Sequence, residues 1–377
     1  MRRLKVAVIG AGRLGGFHAQ KLAAREDVEL AAVVDPDPAN RNRVAAQCGG
    51  GAHRCATLAD HHSLGDQIDA AVVAAPTGLH HSVALELLDR GIHLLVEKPL
   101  CSTSAEADEL VEAARRNRVV LQVGHVERFN PAFSAARTHC TNPKYIEAVR
   151  TSGFTFRSTD VGAVLDLMIH DLDLVLSLVR SPVRKVDAMG LSVLGGHEDV
   201  ANARLEFECG CIAAISATRV SYESTRRMHV WSSRAFTGID FATRTATVVR
   251  PSETLLRRQF DVDSLSPEQV DYYRDHLAEE HLPQERFEFE AVDALALETE
   301  DFVQSILTPR KPQVTGEAGR DAVALAEQIL AKIRTHAWNN RADGPVGPMA
   351  TPHRSIIPAP HFALKPEQTP AARREAG

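Results

Sequence analysis

The chain has 377 residues, more than one comfortable core holds, so two domains are expected. Its 44% apolar and 24% charged content is that of an ordinary globular protein and excludes a disordered or fibrous one. With 43 Lys and Arg against 49 Asp and Glu, the net charge of −6 gives no whole-chain reason to expect a nucleic-acid partner. No apolar run approaches the roughly 20 residues that span a bilayer, so no membrane partner is expected. The start, Met1, Arg2 and Arg3, superficially resembles a signal peptide, but the apolar stretch behind it stops at a Gly-rich turn and reads as a first strand. Cys48, Cys55, Cys101, Cys140, Cys209 and Cys211 are scattered without paired C-x-x-C units. Neither a metal site nor a disulfide framework is expected, and a reducing, cytoplasmic setting fits.

In chain order, Leu4, Val6, Val8 and Ile9 read as a buried strand, and Gly10, Gly12 and Gly15 follow at the spacing G-x-G-x-x-G. Such a turn lets the backbone approach a pyrophosphate, and the N–H groups of the helix behind it favour an anion. Gly10, Gly12, Arg13 and Leu14 are therefore candidate cofactor contacts. Asp35 ends a second apolar run about 20 residues on, where a carboxylate accepts the ribose hydroxyls of NAD and repels a 2′-phosphate. Arg41 and Arg43 lie nearby and suit a phosphate, which leaves NADP as the lesser alternative.

Strands are expected at 69–75, 93–97 and 119–123, with helices at 79–90 and 104–117, the latter capped by Ser102 or Thr103. Alternation of this kind predicts an α/β, doubly wound parallel Rossmann sheet over residues 1–123. Beyond Gly124 the texture changes. Strands at 144–150, 186–194, 203–208, 212–220 and 227–232 lack intervening helices, except one at 162–180, and Cys209 to Cys211 sits at a hairpin turn. Residues 124–340 read as an α+β substrate and oligomerisation domain with a large, mostly antiparallel open sheet. Helices at 290–307 and 319–337 close it by packing back toward the first domain. The polar stretch 251–284 reads as an excursion between strands or an oligomer contact. From 341 a Pro-rich tail reads as loose or draped on the surface, with Ile356, Ile357 and Phe362 as candidates to dock on a neighbouring subunit.

The chemistry-bearing residues fall at strand ends. Lys98 follows Glu97 at the end of the 93–97 strand, on the cofactor edge of the sheet, where a lysine assists proton transfer; a plain surface lysine is the alternative. Pro76, Thr77 and His80 follow the 69–75 strand and suit the nicotinamide ribose, unless Thr77 simply caps the helix. His125, Glu127, Arg128 and Asn130 crowd the domain crossover, and Arg128 suits either a substrate phosphate or an interdomain salt bridge. The 162–180 helix is apolar nearly all round, yet Asp166, His170 and Asp173 share a stripe at 3.6 residues per turn. Burying such groups is costly unless they are paired or line a wet cavity. His170 then serves as general base with Asp166 holding its ring, the alternative being a structural Asp–His pair. Arg157 is a further candidate for a substrate diphosphate.

With these residues assembled, the chain resembles the glucose–fructose oxidoreductase and inositol dehydrogenase (Gfo/Idh/MocA) family over roughly residues 4–335. The resemblance rests on the glycine turn with His18, on Glu97, Lys98 and Pro99, and on Asp166 and His170. It implies NAD(P)-linked oxidation or reduction at a sugar or cyclitol carbon, with Lys98, His170 and Asp166 catalytic. It also implies Glu97 and Lys98 near the cofactor, His125, Arg128, Asp166 and His170 near the substrate, and homodimers or homotetramers packed through the second sheet. Within the family, segments 123–131 and 165–173 look most like the UDP-N-acetylglucosamine 3-dehydrogenases, whose 3-keto sugar is transaminated for lipid A. The rivals are a dehydrogenase of a free sugar or cyclitol and a non-catalytic NAD-responsive binding protein. Only Gly162 stands where many relatives carry a Gly-rich run.

Overall fold

The computed structural model describes residues 2–48, 55–156, 159–338 and 344–350. The first sheet contains β1 (Leu4–Ile9), β2 (Val28–Val34), β3 (Ala56–Leu58), β4 (Ala70–Val73), β5 (His93–Glu97) and β6 (Leu121–Gly124). All pair parallel in the order β3-β2-β1-β4-β5-β6, so the strand order reverses beside β1, the place where doubly wound sheets bind ligands. Helices α1 (Arg13–Ala23) and α2 (Pro38–Cys48) cover one face, and α3 (Thr77–Asp89) and α4 (Ser104–Asn117) the other. Thr103, not Ser102, caps α4, its hydroxyl accepting from Glu106 N while the Glu106 carboxylate accepts from Thr103 N. Thr77 is the first residue of α3 rather than its cap; Pro76 holds that position, with no side-chain cap bond.

After the short α5 (Pro131–Ala136) the chain builds a second sheet from β7 (Pro143–Thr151), β8 (Val183–Leu191), β9 (Val200–Phe207), β10 (Ile212–Thr218), β11 (Thr225–Ser232), β12 (Phe236–Asp240), β13 (Thr245–Val249) and β14 (Gln284–Glu288). The order is β14-β13-β12-β11-β7-β10-β9-β8, antiparallel throughout except for the parallel β7–β10 pair. Strand alternation decides its faces: Ala201, Ala203, Leu205 and Phe207 of β9 point inward, while Asn202, Arg204 and Glu206 point away. The expected strands at 144–150, 203–208, 212–220 and 227–232 are present with shifted ends, and 186–194 begins three residues earlier. β12 to β14 escaped the sequence reading, because short strands with small or charged residues carry little apolar alternation. The 251–284 stretch is indeed an excursion, from β13 to β14, holding α7 (Glu253–Leu256) and α8 (Pro267–His281).

The helix expected at 162–180 is two pieces. Residues Val164–Met168 form a widened π turn, and α6 (Ile169–Val179) follows. An extra residue in that turn shifts the register on which the Asp166, His170 and Asp173 stripe was counted. The last helices, α9 (Ala294–Leu307) and α10 (Gly316–Thr335), start at the caps Asp293 and Thr315. Phe302 and Val303 of α9 join Val6, Val8 and Leu22 on one face of the first sheet, while α10 puts Val323 on its other face and Ile329 and Ile333 into the second core. Residues 344–350 stay on the surface, where Trp338 Nε1 donates to Gly347 O and Ser192 N to Pro348 O. Arg157, Ile356, Ile357 and Phe362 lie outside the described residues.

The glycine turn has no room to spare. A Cβ on Gly15 would sit 1.7 Å from the Gly10 carbonyl oxygen, against backbone that cannot step aside. Gly15→Ala should therefore destabilise the protein by about 1–3 kcal/mol, the usual cost of forced overpacking. Urea unfolding of the two proteins checks this, and an unchanged midpoint would show that the turn opens freely.

Candidate active site

Four chain segments meet at the carboxyl edge of the first sheet. At the β1 turn, Gly10 has φ +91, and a Cβ there would meet Ala74 O at 2.5 Å, so glycine is required. Gly12 precedes α1 with no side-chain cap, and a Cβ on it would meet nothing within 4 Å. The positive end of α1 thus faces open space, with no acidic residue in its first turn, as an anion site needs. Arg13 and the exposed Leu14 flank that space, Arg13 lying over the Phe17 ring. Asp35 closes the β2 end, its carboxylate accepting from Ala11 N at 2.7 Å and from Asp37 N at 2.9 Å. Arg43 donates to Ala11 O and Arg41 to the carbonyls of Asp35 and Pro36.

Behind the β5 end lies a buried polar cluster. His18 Nε2 is 2.7 Å from Glu97 Oε1, and Glu97 Oε2 accepts from Lys98 N. Glu97 therefore anchors the turn from within. His80 is likewise buried, its ring nitrogens each 2.8 Å from a carbonyl, Pro99 O and Ala75 O. It braces two turns rather than reaching toward a ribose. The sequence reading missed Glu298, which α9 inserts fully buried beside this cluster, with neither carboxyl oxygen bonded among the described residues. Its signal was present: on an amphipathic helix, Glu298 falls on the same face as Phe302 and Ser305, where apolar residues belong.

Lys98, joined to Pro99 by a cis peptide, reaches out of this turn to the second domain. Its Nζ donates to the Asp166 carbonyl at 2.7 Å and lies 3.2 Å from Asp166 Oδ1. Asp166 thus pairs with Lys98, not with His170 as the stripe suggested. His170 is half-buried one turn on, makes no hydrogen bond among the described residues, and stands edge-on to His125 at 6.1 Å between ring centres. Burial first, then the charges of Lys98 and Arg150, the His125 ring and Arg226, hold the His170 imidazole well below its ordinary range. It is neutral near pH 7 and free to take a proton. His125 is wholly buried with neither ring nitrogen hydrogen-bonded among the described residues, and burial holds it low as well.

The remaining charges brace the wall. Arg128 grips Asp173 through two bonds, Nε to Oδ2 at 2.6 Å and Nη2 to Oδ1 at 3.0 Å, a salt bridge within residues 124–340 rather than between the domains. Arg150, another residue missed although it occupies an inward position of β7 with Ile146 and Ala148, grips Asp171 the same way and reaches Glu127 at 2.8 Å. Asn130 links Glu127 to the Phe241 carbonyl.

An open, positive helix end at the glycine turn, with a lysine and a neutral imidazole beyond the ends of the neighbouring strands, suits proton transfer beside a dinucleotide. The fold and the site together define a nicotinamide-linked oxidoreductase. Comparison with known proteins agrees. Residues 4–125 match the oxidoreductase family with an NAD-binding Rossmann fold, and 132–236 match the GFO/IDH/MocA C-terminal domain. UDP-N-acetylglucosamine 3-dehydrogenase of Acidithiobacillus ferrooxidans is 33% identical over 88% of this chain and 98% of its own. Its solved structure superposes with a TM-score of 0.75, at 32% identity over the same shares. Myo-inositol 2-dehydrogenase of Thermotoga maritima is 25% identical over 85% of this chain and 94% of its own. The structure of a levoglucosan dehydrogenase with NADH and levoglucosan shares the fold at a TM-score of 0.73, at 16% identity over 88% of this chain and 97% of that one. The chain belongs to the GFO/IDH/MocA family of oxidoreductases.

The Glu298 carboxyl carries its own consequence. Burial, with the nearby Glu97 charge and then Asp301, pushes it well above the ordinary range, while the His18 bond and Lys98 keep Glu97 ionised against the cost of burial. Folded Glu298 keeps a proton that the unfolded chain sheds above about pH 4.3, so this group makes stability fall as pH rises. Glu298→Gln needs no proton. Its gain in melting temperature over the parent should grow from about pH 5 to about pH 8. An equal difference at both pH values would show that Glu298 is charged in the fold.

Proposed function

We propose that the protein oxidises the C3 hydroxyl of UDP-N-acetylglucosamine to the ketone, with NAD as acceptor. The supporting observation for the substrate is the match with the Acidithiobacillus enzyme over nearly its whole length; the support for the chemistry is the shared cleft of Lys98 and His170. Residues 1–123 serve as the nucleotide domain, 124–340 as the substrate and oligomerisation domain. Gly10, Gly12, Arg13, Leu14, Pro76 and Thr77 would hold the cofactor, with Asp35 at the ribose. The Asp35 charge disfavours a 2′-phosphate, and Arg41 and Arg43 are turned onto main-chain carbonyls, which favours NAD over NADP.

When bound, NAD supplies the acceptor for the hydride that leaves the carbinol carbon. His170, kept neutral by its surroundings, takes the hydroxyl proton as that C–H bond breaks and the C=O bond forms. Lys98 donates a hydrogen bond to the same oxygen, and Asp166 fixes the lysine's reach. The 3-keto sugar suits transamination to a 2,3-diamino sugar of the kind found in lipid A. A homodimer or homotetramer in the cytoplasm fits, assembled through the outer face of the second sheet, where Tyr145, His229, Trp231 and Phe236 form one aromatic group. Among the described residues no helix is long and apolar enough to cross a membrane. The inositol dehydrogenases among the relatives favour a second reading, oxidation of a free cyclitol or sugar.

The test is NADH formation by the purified protein with NAD and UDP-N-acetylglucosamine, myo-inositol or free hexoses. Turnover of the nucleotide sugar is expected. Turnover of inositol or a hexose alone would replace the substrate, and silence with NAD still bound would leave a binding protein. Lys98→Met and His170→Ala should each lower kcat by about 10²- to 10⁴-fold without loss of fold. Because His170 is held low, the acid limb of kcat/KM should lie well below the ordinary imidazole range. In Lys98→Met that limb should move upward, since one repelling charge is gone; an unmoved limb would detach His170 from it.

A further inference from the structure

We propose that Arg226 is the anion anchor of the substrate subsite, the group that holds the diphosphate of a nucleotide sugar; this rests on the reading of the substrate as a UDP-sugar. Arg226 lies near the start of β11, directly across from Arg150 of β7 in antiparallel register. Side chains at such paired positions share a face of the sheet. Arg150 grips Asp171 of α6, so that face is the one turned toward the helices and the cleft, and the Arg226 charge is felt at the His170 ring.

The other cations described at this cleft are engaged. Lys98 is bound to Asp166, Arg128 to Asp173, and Arg150 to Asp171 and Glu127, with side chains only 16%, 12% and 4% exposed. The Arg226 side chain is 56% exposed and its guanidinium makes no hydrogen bond among the described residues. Its nearest carboxylate, Glu127 Oε1, is 4.0 Å away and already accepts from Arg150 at 2.8 Å. Two guanidinium groups directly opposed across strands repel one another, and an anion bound at the exposed one relieves that repulsion. A diphosphate offers several oxygens to the planar fork of an arginine, while a neutral cyclitol offers none of that charge. Anchoring at Arg226 sets the distal end of the substrate, and the sugar hydroxyl then falls to Lys98 and His170.

The experiment compares the parent protein, Arg226→Ala and Arg226→Lys in two assays: steady-state oxidation of UDP-N-acetylglucosamine, and calorimetric titration of the NADH-loaded protein with UDP alone. Arg226→Ala should raise KM for the nucleotide sugar and Kd for UDP together, by about 10- to 100-fold for one lost charged anchor. kcat, KM for NAD and the melting temperature should stay near the parent values, and Arg226→Lys should recover part of the affinity. A fall in kcat with KM and UDP affinity unchanged, or no change at all, overturns the assignment while leaving the substrate in place. If the parent binds UDP but oxidises no UDP-N-acetylglucosamine, the substrate reading fails, and loss of UDP binding in Arg226→Ala still upholds the anchor. If the parent binds no UDP, the anchor fails as well.

Discussion

A carboxylate buried at the end of a parallel strand has to be met by a partner, and Glu97 is met from both sides. His18 comes to it from α1, and the amide of Lys98 comes from the strand it terminates. This fixes the Lys98 turn relative to the helix that carries the glycine turn, so the two halves of a cofactor cleft cannot drift independently. Lys98 then carries the constraint outward to the Asp166 carbonyl in the π turn of the second domain. One path of hydrogen bonds therefore runs from α1 to the helix bearing His170. A buried pair of this sort adds little net stability once desolvation is counted. Its contribution is position, since it removes alternatives for a side chain that must meet a reacting oxygen.

The charges near His170 show the same economy of geometry. Asp171 and Asp173 sit two apart on α6, yet each receives a two-pronged grip from a different direction, Arg150 from the sheet and Arg128 from the crossover segment. With those carboxylates satisfied, the charges felt most at the His170 ring are those of Lys98, Arg150 and Arg226. A positive surrounding discourages protonation of an imidazole, which suits a group that must begin the reaction unprotonated.

Much of this was legible in the sequence for definite reasons. The β1 run, the three glycines and Asp35 specify a turn whose backbone angles few sequences can adopt, so β1, α1 and β2 were readable from local pattern alone. Lys98 was legible from its place at the carboxyl end of a parallel strand, and His170 because polar groups stood where apolar periodicity demanded otherwise. The partners were not. Asp166 was matched with His170 by counting 3.6 residues per turn, and the π turn defeats that count. Arg150, Glu298 and Arg226 acquire meaning only from contacts 21 to 201 residues away in sequence, as the Arg150 bond to Asp171 and the Glu298 approach to Glu97 illustrate. His80 looked like a cofactor residue because of where it stood in the chain, whereas its ring is held by carbonyls on both sides.

The return of α9 and α10 bears on how the chain comes to be folded. Phe302 and Val303 complete one face of the N-terminal sheet, and Val314, Ala322 and Val323 complete the other. The first six strands therefore leave two apolar faces only partly covered until some 200 further residues have been made. During synthesis those faces gain their last cover only when α9 and α10 emerge. The two lobes consequently share α10, and the N-terminal sheet is fully covered only once the last helices of the described chain are packed on it.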